Sequence, residues 1–247
     1  VDPAANALMT EWAAKKIRQR VKDPATAERL IPKNHGFGTR RLPLETHYYE
    51  VYNLPHVELV DINATPIERI TPQGLRTSER DFAFDVLIYA TGFDGVTGPY
   101  DRMEIIGPGG RRLRDDWRGT PRTFLGVLAE GFPNMLMVLG PHTARGNIPR
   151  NIEDIVDWTT PLVAFMRAHG HTRVEARAEA VADWAQHVEK AATGLLFSQV
   201  NSWQTGVNRN VEGRDVLRTL GYYGGAVRYR EIGRQVAEGG YQELAFG

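Results

Sequence analysis

Between Phe84 and Asp94 the chain reads Phe-Asp-Val-Leu-Ile-Tyr-Ala-Thr-Gly-Phe-Asp, an apolar run that passes without transition into three small residues. Uninterrupted apolar sequence closed by glycine predicts a strand buried on both faces, as in a parallel or mixed sheet, and so points to an α/β fold. At its carboxyl end Ala90-Thr91-Gly92 carries almost no side-chain bulk, which lets another backbone or a flat ligand approach closely. The residues alone leave two readings open there: the tight strand exit of any α/β protein, or a cofactor contact.

The 30 basic and 30 acidic side chains cancel, so neither nucleic acid nor an anionic membrane surface is expected as a bulk partner. The absence of cysteine excludes disulfides, thiolate metal sites and a cysteine nucleophile. Seven histidines are scattered, and His169-Gly170-His171 at an expected helix end lacks a helical carboxylate–histidine pair, so no metal site is expected. No apolar run approaches the ~20 residues of a membrane span, and the amino terminus does not read as a signal peptide. A soluble cytoplasmic protein is the expectation. The chain opens on Val1-Asp2-Pro3 and runs at once into a helix, which reads as the interior of a longer polypeptide.

Helical spacing of Leu8, Trp12, Ala13, Ile17 and Val21 predicts an amphipathic helix over 4–21. Asp23-Pro24 opens a second, short helix that Pro32 ends. Residues 46–53, with Tyr48, Tyr49 and Tyr52, read as a short helix or turn. Val57–Val60 and Ile67–Ile70 alternate like strands, and Pro72-Gln73-Gly74 predicts a hairpin that returns along Leu75–Thr77. The segment 94–122 reads as a surface excursion anchored by Trp117. Further strands are expected at Thr123–Val127 and, fully buried, at Met135–Leu139. Helices are expected over 148–168, 173–193 and 226–238, a strand-like stretch over 220–223, and a mobile loop near 196–213.

Two loops carry candidate chemistry. Gly36-Phe37-Gly38-Thr39-Arg40-Arg41 presents adjacent arginines, which on extended backbone point to opposite sides and can serve two different anionic groups. Arginine is protonated at any working pH and offers a planar fork of donors suited to phosphate or a developing oxyanion. A solvated basic turn is the other reading. The loop Gly140–Asn147 opens the helix at Ile148, with Asn147 as cap and Pro149 in the first turn. Unpaired backbone N–H groups and the helix dipole favour negative charge there, although most turns of this kind bind nothing. No Ser-His-Asp arrangement, paired-carboxylate motif, Walker loop or Gly-x-Gly-x-x-Gly turn is present.

Taken together and in order, Arg20–Asp23, Gly36–Leu42, Tyr48–Glu50, Pro66–Glu68, Leu75–Glu79, Ala90–Asp94, Pro121–Thr123, Gly131–Asn134, Gly140-Pro141, Ser202-Trp203 and Tyr229-Arg230 carry a resemblance along nearly the whole chain. The sequence resembles the carboxyl-terminal half of flavin-dependent Baeyer–Villiger monooxygenases. The resemblance implies a fragment of a flavoprotein with two dinucleotide-binding, Rossmann-like domains, for FAD and NADPH. Residues 1–35 would be the tail of a helical insertion, 36–84 the second part of the NADPH domain, and 85–247 the second part of the FAD domain with a long helical region. It implies oxidation of a ketone by O2 to an ester or lactone through a flavin C4a-peroxide, with the missing amino-terminal half of the same polypeptide as partner.

By the same resemblance Arg41 is the catalytic residue, whose fixed charge steadies anionic species over the flavin. Arg40 stands where the family usually has lysine against the NADPH 2′-phosphate. Trp203 matches a loop tryptophan that folds over the nicotinamide cofactor, Asn147 and Ile148 match the segment beside the flavin ring, and Thr91 and Gly92 mark the close crossing between nucleotide domains. The loop His142–Gly146 is shorter than the family pattern and carries Arg145, so no preference among ketones is carried over. An N- or S-oxygenating flavoenzyme and a non-catalytic binding fragment are the alternatives, and the fragment alone is expected to be inactive.

Overall fold

A computed structural model describes residues 2–143 and 146–247, and the chain divides into two compact units, Val1–Gly92 and Phe93–Gly247. In the first unit Asp2, accepting from the Ala4 N–H at 2.8 Å, caps α1 (Pro3–Arg20), and Asp23 caps α2 (Pro24–Leu30) by accepting from Thr26. The two helices share a small core of Ala14, Ile17, Val21, Ala27 and Ile31. Only the carboxyl half of the expected α1 stripe is covered, since Leu8 and Trp12 are 76% and 52% exposed. Arg20 ties the helix end to the tyrosine-rich turn: its Nε and Nη2 reach both oxygens of Glu50 at 2.6 and 2.7 Å, its Nη1 reaches Glu45 at 2.6 Å, and its guanidinium lies over Tyr49. The turn itself becomes one short 3-10 helix, Glu50–Asn53.

An antiparallel meander follows, β1 (Ile67–Thr71), β2 (Gly74–Thr77) and β3 (Asp81–Ala83), in the order β1-β2-β3. The expected hairpin forms, with Thr71 opposite Gly74. Gly74 has to be glycine, because a Cβ there would lie 2.1 Å from the Phe82 carbonyl oxygen. Val57–Val60 is not a strand, because no neighbouring ladder takes it up among the described residues.

The largest correction concerns the apolar run. Residues 84–92 form no strand, and Val86, Ile88 and Tyr89 are 74%, 82% and 68% exposed. A central strand exists only if strands on either side accept its N–H and C=O groups. Among the described residues none pairs with this stretch.

The second unit begins with α3 (Gly98–Arg102) and α4 (Leu113–Asp116). The excursion they belong to is not merely superficial, because Leu113 and Trp117 are fully buried with Ala129, Phe132 and Met137, and Tyr100 meets the Trp117 ring edge-on. Trp117 is the anchor that its sequence context predicted. Residues 123–127 form a tight buried turn and not a strand: Leu125 and Gly126 take φ of 53° and 69°, and a lone bridge joins Phe124 to Leu128. Met135–Leu139 is likewise no strand, and only Met137 in it is buried. Left-handed backbone at Asn134 and Leu139 brackets it, and single hydrogen bonds from Asn134 to Val174 and from Met137 to Val127 replace a ladder.

The main core is helical. α5 (Ile148–His169) runs between the Asn147 cap and left-handed Gly170, as expected. The next helix starts later than its sequence suggests, because Val174–Ala176 is β4, paired with β5 (Leu244–Phe246) some seventy residues on. α6 (Ala178–Ala192) then buries Val181, Trp184, Val188 and Ala192, and α7 (Ala226–Glu238) closes the layer. Trp158 of α5 donates to the Gly233 carbonyl of α7 at 2.8 Å, where a Cβ on residue 233 would press on the indole. Each fully buried leucine or isoleucine here, Ile155 and Leu162 among them, contributes about 1.5–3 kcal/mol of transfer free energy. Over 220–223 one parallel bridge, His142 to Gly221, stands in place of the expected strand. The fold is α/β, and no described helix is long and apolar enough to cross a membrane.

Candidate functional site

The arginine loop is fixed to α1 before it reaches its arginines. Asn6 Nδ2 donates to the Phe37 carbonyl at 2.7 Å, the Phe37 N–H donates to Thr10 Oγ1 at 2.9 Å, and Thr39 Oγ1 closes the turn on the Gly36 carbonyl at 2.8 Å. Gly38 supplies the left-handed step, and Gly36 lies so close to Asn6 that a side chain would clash. From this pinned turn Arg40 emerges half-buried and Arg41 exposed. Burial lowers the affinity of His35 for a proton, and the Arg40 charge lowers it further.

Thr91 and Gly92 lie at the end of the same unit, exposed. Gly92 has φ of 82°, and no atom lies within 4 Å of where its Cβ would stand. A side chain at this position would therefore meet open space, and the backbone there is not packed against another element among the described residues.

In the second unit Asn147 Oδ1 accepts from the Arg150 N–H at 3.2 Å and caps α5. It borders a cleft of about 310 Å³ where α5 and α7 both begin, so two helix amino termini face the same space. Arg150 and Tyr229 line the cleft, as does Asp154, which pairs with Arg150 at 3.5 Å and with Arg230 at 3.1 Å. Tyr229 donates its hydroxyl to the Leu125 carbonyl at 2.7 Å, and burial raises its pKa. Ile148 stands beside the cleft, 39% exposed. The helix expected over 226–238 begins at this second wall, but nothing in the sequence marked it as part of a site.

His142 lies beneath the cleft, 3% exposed and at φ of 79°. Trp184 Nε1 donates to its Nδ1 at 3.2 Å, and Thr123 Oγ1 lies 2.9 Å from the same nitrogen. Nδ1 is therefore an acceptor and the ring is neutral. Burial pushes the pKa down to about 4, with the Thr219 backbone pulling weakly the other way. Arg145 lies outside the described residues.

Trp203 stands apart from the cleft. It is 46% exposed in a turn closed by reciprocal Ser202 and Thr205 hydrogen bonds, and its ring lies 3.2 Å from the Cβ position of Gly95. Thus Arg40, Arg41, Thr91 and Gly92 belong to the first unit, and Asn147, Ile148 and Trp203 to the second. Among the described residues no cluster of three metal-ligating side chains occurs.

No protein-family model matches the chain. Among curated proteins it is similar to 2-oxo-Δ3-4,5,5-trimethylcyclopentenylacetyl-CoA monooxygenase of Pseudomonas putida, 41% identical over 98% of the chain and 45% of that protein. Phenazine N-monooxygenase PhzNO1 of Lysobacter antibioticus is 40% identical over 98% of the chain and 44% of its own length. The methyl acetate-forming acetone monooxygenase of Gordonia sp. (strain TY-5) is 37% identical over 99% of the chain and 46% of its length. Baeyer–Villiger monooxygenases are among the chain's homologues. Agreement extends to three dimensions: the crystal structure of OTEMO in complex with FAD and NADP superposes with a TM-score of 0.92 at 39% identity, over 100% of this chain and 45% of that one. The chain spans a little under half the length of the Baeyer–Villiger relatives it matches.

Proposed function

We propose that this chain is part of an FAD- and NADPH-dependent monooxygenase that uses O2 to convert a ketone into an ester or lactone. The observation that carries this reading is the end-to-end similarity to an enzyme named for making methyl acetate from acetone, together with a structural match to a complex with FAD and NADP. When bound, the flavin supplies oxygen activation and the nicotinamide supplies the hydride. The residues present fit such groups. The α5–α7 cleft offers two helix amino termini and Arg150 to a polar, electron-rich ring edge, and the bare backbone at Gly92 leaves room for a flat group.

In this reading Arg41 holds a permanent positive charge against negative charge that develops on oxygen, in a space from which water is excluded. Arg40 takes the NADPH 2′-phosphate, to which its planar fork is matched. Asn147 and Ile148 border the flavin, and Trp203 covers the nicotinamide. Residues 1–35 end a helical insertion, 36–84 complete an NADPH domain and 85–247 complete an FAD domain, in a cytoplasmic protein. The remainder of the polypeptide supplies the strands that take up residues 84–92, whose exposed apolar side chains call for cover. The similarity to a phenazine N-monooxygenase favours a second reading, oxygen transfer to an aromatic nitrogen.

Replacing Arg41 by Ala in the complete protein tests the first reading. Ester formation from a cyclic ketone should fall by about 10²–10³-fold, as when a transition-state donor is removed, while NADPH still bleaches the flavin. Undiminished ester formation overturns the role of Arg41. An N-oxide product from an aromatic nitrogen heterocycle such as a phenazine, with no ester from any ketone, decides for the second reading.

A further inference from the structure

The segment from Ser202 to Arg218 has its polarity turned inside out. Arg214 and Arg218 are 4% and 5% exposed, whereas Val216 and Leu217 between them face solvent at 54% and 46%. A guanidinium withdrawn from water is costly unless its donors are met, so where those donors go shows what the side chains do. Arg214 Nη2 donates to Asp101 Oδ2 in a close ion pair. Arg218 Nη2 donates to the Gly206 carbonyl at 2.8 Å and its Nη1 to the Gly119 carbonyl at 3.3 Å. Its guanidinium lies so tightly on Gly206 that a Cβ there would come within 2.6 Å of it.

The backbone completes the fastening. The Arg214 carbonyl accepts from the Asn208 N–H at 2.7 Å, and the Arg218 N–H donates to the Thr205 carbonyl at 2.8 Å. Asn208 Nδ2 in turn reaches Asp94 at 3.3 Å, and the Trp203 ring rests on Gly95. These contacts draw the Trp203 turn toward the 94–101 segment or brace it from within, and Arg218 also ties it to the Gly119 carbonyl. The Arg214 cation also lies against Asp101, whose carboxyl feels the negative charge of Asp94. Without it Asp101 would lose its cation while the Asp94 charge remained nearby, leaving the Asn208 and Trp203–Gly95 contacts to join the turn to this segment.

We infer that Arg214 and Arg218 are positioning residues: Arg214 fastens the segment that carries the Ser202–Gly206 turn, and Trp203 with it, to Asp101, and Arg218 locks the turn from within and against the Gly119 carbonyl. The fastening stands on the geometry alone. Its functional consequence, an ordered cover for the nicotinamide cofactor, rests on the reading of Trp203 given above.

The two parts separate in one experiment on the complete protein. Trypsin cleavage after the exposed Arg209 reports release of the turn, and the NADPH dependence of flavin reduction reports its consequence. Asp101→Asn, and independently the milder Asn208→Ala, should speed cleavage at Arg209 by about tenfold or more, as expected when a hydrogen bond to a charged group is lost from a locally opening segment. Cleavage at sites in α1 should not change. The KM for NADPH should rise with kcat little altered, and the exchanged pair Asp101→Arg with Arg214→Asp should recover part of both. Unchanged cleavage at Arg209 in variants with native circular dichroism overturns the fastening. Faster cleavage with an unchanged KM for NADPH overturns the cofactor-covering consequence, and points back to the assignment of Trp203.

Discussion

Two sets of apolar residues of similar strength meet opposite fates in this molecule. Val86, Ile88 and Tyr89 in the first unit are two-thirds or more exposed, whereas Leu125, Leu128, Ile155 and Leu162 in the second are almost wholly buried. The same contrast separates α1, whose Leu8 and Trp12 face solvent, from α6, whose Val181, Trp184 and Val188 do not. Side-chain chemistry does not account for it, since the residue types are alike. The difference lies in what each stretch meets: α5, α6 and α7 lay their stripes against one another, and residues 84–92 find no neighbouring strand among the described residues. Hydrophobicity states that a surface calls for cover, and the identity of the cover is a separate fact.

The sharpest way to break the comparison is at the centre of the buried side. Trp184 fills the space between α6, His142 and Tyr222 and donates its indole N–H to His142. Trp184→Ala should destabilise the second unit by about 3–5 kcal/mol through the cavity and the lost donor, read as a lowered urea midpoint. A loss below about 1 kcal/mol would mean that this core is loosely packed, and the contrast with the first unit would collapse.

A smaller effect, and one confined to acid, belongs to His142. Its folded pKa is about 4 against 6.5 for an ordinary histidine, so the folded state binds fewer protons between those values. Stability from this group is complete above about 6.5 and is lost as pH falls toward 4, by an amount on the order of 3 kcal/mol. His142→Gln keeps a polar side chain but does not titrate. Its unfolding free energy should therefore fall less between pH 7 and pH 4 than that of the unaltered protein. An identical acid dependence would show that His142 is solvated.

The legible parts of this fold are those decided within a few residues. Asp23 and Asn147 cap the helices that they precede, Pro72-Gln73-Gly74 turns the hairpin, and Trp117 anchors its excursion. Most of the failures are non-local. β4 exists because β5 pairs with it from the far end of the chain, and 123–127 is a turn because Leu125 accepts left-handed backbone, which no residue preference announces. The arginine loop and the α5 start were readable as candidate sites. The second wall of the cleft at Gly225 and Tyr229, and the inward arginines at 214 and 218, were not, since an arginine in a polar-looking loop reads as solvated until its burial is seen.

The smallest expected effect tests the exposed side. Ile88 is 82% exposed, so Ile88→Ser removes little buried area from this chain and should change its stability by less than about 0.5 kcal/mol. The same substitution in the complete protein has a different expected outcome. If strands from the rest of the polypeptide enclose residues 84–92, a hydroxyl enters an apolar layer there, and about 2–4 kcal/mol should be lost. Parallel urea melts of the two forms give the difference directly. Equal, small losses in both would leave Val86–Tyr89 as a true surface, and the cover proposed for it would have to be abandoned. A large loss in this chain alone would mean that the side chain is already buried, and the opening contrast between the two units would be void.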